Sequence, residues 1–106
     1  MPNDPRYVLE KLFLAVDALV SHSGRVQERL VAAAIAFLPA KPDDLPYEDL
    51  RRTFAGIKDD LAYQPAAGNE GMIAATLNIT SDEDASAIAR RIFNLYCDLD
   101  ERLREK

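Results

Sequence analysis

Asp82, Glu83 and Asp84 form the longest unbroken run of carboxylates in the chain. Side chains of this type bind calcium, exchange protons with a substrate, or occupy the start of a helix. A calcium loop of EF-hand type needs a glycine at its sixth position and a glutamate at its twelfth. Counted from Asp82, those positions hold Ala87 and Phe93. A helix start fits better. Ser81 is followed three residues later by Asp84, and Thr80 by Glu83; both spacings resemble capping boxes. Acids in a first turn face the positive pole of the helix, worth about 0.3–1 kcal/mol each. The segment closes on ERLREK, whose basic residues suit the opposite pole.

The remaining reactive residue types are sparse. His22 is the sole histidine, in SHS. Neighbours at a helix end do not converge as a nucleophile and its base must, so His22 is expected to be a solvated helix-terminal residue. With one histidine, a zinc or di-iron site is not expected. Cys97, the one cysteine, sits late in the last helix beside Asp98. A reactive thiol needs a basic or N-terminal setting, so a buried structural cysteine is expected. GNEG, residues 68–71, has the Gly-x-x-Gly spacing of some RNA-clamping loops, but Glu70 has the wrong sign for phosphate. NIT at 78–80 has the glycosylation spacing, yet MPNDPRYV lacks a leader pattern, so the triplet is read as chance.

Composition narrows the functional classes. The chain has 106 residues and a net charge of −5, which fits one soluble domain with its own core. The acidic balance argues against nucleic acid as partner. The doublets Arg51-Arg52 and Arg90-Arg91 have acids nearby and read as solvated helix faces. The longest apolar run, Leu30 to Leu38, is far shorter than the roughly 20 residues of a membrane span. A single cysteine is compatible with a reducing cytoplasm.

The elements that must position these residues are helices. Apolar residues recur at helical spacing, and no strand-like alternation is visible. A first helix is expected from Pro5 to about Ser21, capped by Asp4, with Val8, Leu9, Leu12, Val16, Leu19 and Val20 on its core face and Phe13 beside them. The second runs from about Arg25 to Leu38. Its second half is apolar all round, so it is expected to be the most buried. The third is expected from near Pro46 to near Tyr63, with Leu50, Phe54, Ile57 and Leu61 in a narrow stripe. MIAATLN reads as a short helix, and a long helix follows to about Arg104. The fold expected is all-α: four main helices and one short one, packed as a small bundle over 1–106.

One feature exceeds what a bundle needs. On the last helix, apolar residues from Leu95 round to Cys97 cover more than half the circumference. On the first, Tyr7, Leu14 and Ala18 line up opposite the core stripe among Glu10, Lys11 and Asp17. An apolar strip with a polar rim is how a contact surface is built. The expectation is a non-enzymatic interaction protein, a homodimer or an adaptor, contacting its partner through Tyr7, Leu14, Ala18 and Phe93. No cofactor, metal, nucleic acid or membrane is called for. The alternative is a small-molecule binder or enzyme using Tyr47, Tyr63, Tyr96 and Asp100 between helices, with Asp100 as a buried acid or base. The phrasing IAATL…SDEDASAIARRIFNLY resembles that of small bacterial proteins in general style and carries no site with it.

Overall fold

The computed structural model describes residues 4–61, 73–74 and 76–105. The architecture is all-α. Helix α1 spans Pro5–Ser21, α2 Val26–Phe37, α3 Glu48–Leu61 and α4 Asp82–Arg104, with a 3-10 turn at Pro42–Asp44. Residues 73, 74 and 76–78 are helical ahead of α4, where the short helix is expected.

Each start is set by local chemistry. The Asp4 carboxylate accepts from the Arg6 N–H at 3.0 Å, and Pro5 occupies the first turn, where its missing N–H costs nothing. At α2 the Glu28 carboxylate reaches back to the Arg25 N–H at 3.1 Å. Between them Gly24 has φ +107°, a conformation that penalises any Cβ. Helix α4 is capped by the Ser81 hydroxyl, which accepts from the Asp84 N–H at 3.0 Å. The Thr80 hydroxyl instead donates to the Thr76 carbonyl at 2.7 Å, finishing the preceding turn rather than capping α4. Helix α3 begins at Glu48, two residues later than Pro46 suggests. Tyr63 lies outside the described residues.

Five contacts fix the directions of the helices. Arg29 Nη1 donates to the Leu19 carbonyl at 3.0 Å, so α2 starts where α1 ends and the two are antiparallel. Gln27 Nε2 donates to Asp82 at 2.7 Å and to the Thr80 carbonyl at 2.9 Å, so α2 and α4 start together. Asp49 meets Arg102 and Asp60 meets Arg91, so α3 runs antiparallel along the second half of α4. Phe37 of α2 and Phe54 of α3 close the core edge to face, 5.5 Å between ring centres.

The most enclosed helix is therefore α4, which packs on α1, α2 and α3. Ala85, Ile88, Ile92, Leu95, Leu99 and Leu103 are all buried on it. Helix α2 falls short of the expected all-round burial: Leu30, Ala33, Ala34 and Phe37 are buried, but Ile35 is 37% exposed. Lys58 of α3 closes the end of α2 by donating to the Leu38 carbonyl at 3.2 Å and to the Ala40 carbonyl. These acceptors would otherwise be left over at a helix end. Burial pushes the Lys58 ammonium below its ordinary pKa.

Two ion pairs lock α3 to α4. Arg102 grips Asp49 through both guanidinium nitrogens, at 2.9 and 2.5 Å, and lies over the Tyr47 ring at 5.2 Å. Arg91 reaches Asp60 at 2.5 Å, beside Gly56, where an added Cβ would stand 3.3 Å from the Arg91 guanidinium. The Arg102 hydrogen bonds hold the Asp49 carboxyl below its ordinary value of 3.8.

Two outcomes follow. A group lowered in the folded state stabilises above its unfolded pKa and loses that effect as pH falls through the folded one. Arg102→Gln should therefore melt below wild type at neutral pH, and the gap should narrow as pH drops below 3.8. A gap independent of pH would exclude the ion pair as its source. Gly24→Ala would place a Cβ 2.3 Å from Glu28 Oε1, displacing the α2 cap. Urea denaturation should show a loss of about 1–2 kcal/mol.

Candidate functional site

Three of the exposed large apolar side chains, Phe13, Val20 and Phe93, lie along the seam of α1 and α4; Tyr7, Leu14, Ile35 and Ile79 are exposed elsewhere. Phe13 of α1 meets Tyr96 of α4 with ring centres 6.2 Å apart and planes tilted by 47°. Val20 lies two turns after Phe13 on the same side of α1, and Phe93 lies three residues before Tyr96 on α4. Phe13 is 53% exposed, Val20 75% and Phe93 49%. Half-buried Leu9, Val16, Ala89 and Tyr96 form the floor, packed on the core. The outer margins are charged and exposed: Arg6, Glu10 and Asp17 on α1, Arg90 and Glu101 on α4.

The contact residues expected from sequence do not fall together. Phe93 belongs to the seam. Tyr7 and Leu14 are exposed on the opposite flank of α1, where the Lys11 ammonium sits over the Tyr7 ring at 5.3 Å. Ala18 is buried, at 8% exposure, because that side of α1 packs on α2. Sequence reading placed Phe13 and Val20 with the core stripe and so missed them as surface residues. The available signal was angular: both lie at the edge of the stripe, about 120–140° from Val8 at 100° per residue.

Cys97 is exposed, not buried. It lies one step beyond Phe93 around α4, past the arc that the other helices cover. Asp100 pairs with Arg104 one turn on, at 3.0 Å. Tyr47 stacks on Arg102 on the α3 side of α4, whereas Tyr96 meets Phe13 on the α1 side. Tyr47, Tyr96 and Asp100 thus have separate partners. Tyr63 and GNEG lie outside the described residues. His22 is exposed at the end of α1, its N–H donating to the Ala18 carbonyl.

The carboxylate run divides its work. Asp84 contributes its N–H to the Ser81 cap. Asp82 accepts from Gln27 and lies 3.6 Å from the Arg25 guanidinium. The Gln27 hydrogen bond, with Arg25 adding to it, holds the Asp82 carboxyl below its ordinary 3.8. Among the described residues no group of three or more His, Cys, Asp or Glu side chains is placed to hold a metal ion. None of their helices is long and apolar enough to cross a membrane. A cleft of about 340 Å³ runs between Asp60, Ile79, Asp84 and Arg91. A second, of about 210 Å³, borders Gln27, Val31 and Leu77. Gln27 Oε1 is buried there without a hydrogen-bond partner among the described residues. Neither cleft is lined by Asp100 or by Tyr47 or Tyr96.

Comparison with protein-family models, curated proteins and solved structures gives no match. The functional reading therefore rests on the geometry.

The Gln27–Asp82 contact can be read directly by NMR titration. In Gln27→Leu the Asp82 carboxyl should titrate closer to 3.8 than in wild type. An unchanged titration would show that Arg25 and the helix start suffice to hold it.

Proposed function

We propose that the chain is a non-enzymatic protein–protein interaction module whose contact face is the α1–α4 seam. The observation that carries this reading is the exposure of Phe13, Val20 and Phe93 on adjoining helices above an apolar floor. Single exposed apolars are ordinary on any surface. A contiguous aromatic strip with a charged margin has the composition of an interface core and rim. The enzyme or small-molecule alternative has less support, because among the described residues Tyr47 and Tyr96 lie on different sides of α4 and Asp100 pairs with Arg104. A free, exposed Cys97 suits a reducing compartment, in keeping with a cytoplasmic setting.

The test pairs affinity capture of the tagged chain from its native lysate with light scattering of the purified protein. Wild type should associate, with itself or with another protein in fixed ratio. Val20→Glu/Phe93→Glu should keep its helical circular dichroism and lose that association. Tyr7→Glu/Leu14→Glu, on the other flank, should retain it. Association that survives the seam variant, or is absent from wild type, overturns the reading.

A further inference from the structure

We draw no further inference here: the strongest candidate, the exposed apolar strip of Phe13, Val20 and Phe93 along the α1–α4 seam, belongs to the face already described, and nothing in the structure shows what covers it.

Discussion

The arrangement depends on the width of the apolar arc of α4. A helix that packs on one neighbour buries a narrow stripe, whereas α4 presents apolar side chains from Leu95 round to Cys97. No single helix can cover such an arc. Helix α2 lies along its first half, α3 along its second, and α1 runs beside it. The centre of the arc is fully enclosed: Ala85, Ile92, Leu95 and Leu99 have essentially no exposure. The shoulder from Tyr96 to Phe93 and Cys97 extends past the last covering helix and remains at the surface.

The two flanks of α4 are finished differently. Toward α3 the margin is ionic, with Arg91 on Asp60 and Arg102 on Asp49 and Tyr47. These pairs are partly exposed, and solvent screens such pairs so that each adds little to stability. Their geometry does more than their energy: two pairs a full three turns apart on α4 fix the register of α3 against it. Toward α1 the margin has no ion pair across the seam among the described residues, and its joint is the Phe13–Tyr96 ring contact. One side is thus sealed by charge within the chain, while the other ends in aromatic surface.

Much of this was legible in the sequence. Asp4, Pro5 and Ser81 mark helix starts through short-range chemistry, and the 3.6-residue period identifies the buried faces of α1, α3 and α4. The acidic run at 82–84 was readable as a helix start because capping depends on residues only three apart. Its second role was not, since Gln27 lies 55 positions from Asp82 and nothing local pairs them. The same limit hid the Arg102–Asp49 clamp, for which Asp49 had a nearer basic neighbour in Arg52. In the structure Arg52 pairs with Glu48 instead. Surface assignments failed by small rotations. Periodicity gives the direction of a helix's apolar face but not how far its neighbours reach around it. Phe13 and Val20 therefore moved from core to surface, Ala18 moved from surface to core, and Cys97 came out exposed.

The seam is not a by-product of folding that α1 could avoid by turning. Rotating α1 far enough to sink Phe13 and Val20 would bring Val8, Leu12 and Leu19 toward water, and these are the residues that now fill its core face. Nor does the core need apolar groups at 20 and 93, whereas Phe13 holds the joint through its contact with Tyr96. Side chains exposed over about half their area or more return only a fraction of the free energy of full burial, about 1.5–3 kcal/mol for a large apolar residue. A polar residue at each place would leave the buried set intact and improve solubility. The half-buried floor of Leu9, Val16, Ala89 and Tyr96 already closes the joint beneath them. Covering Val20 and Phe93 would convert the exposed remainder of their area into binding energy.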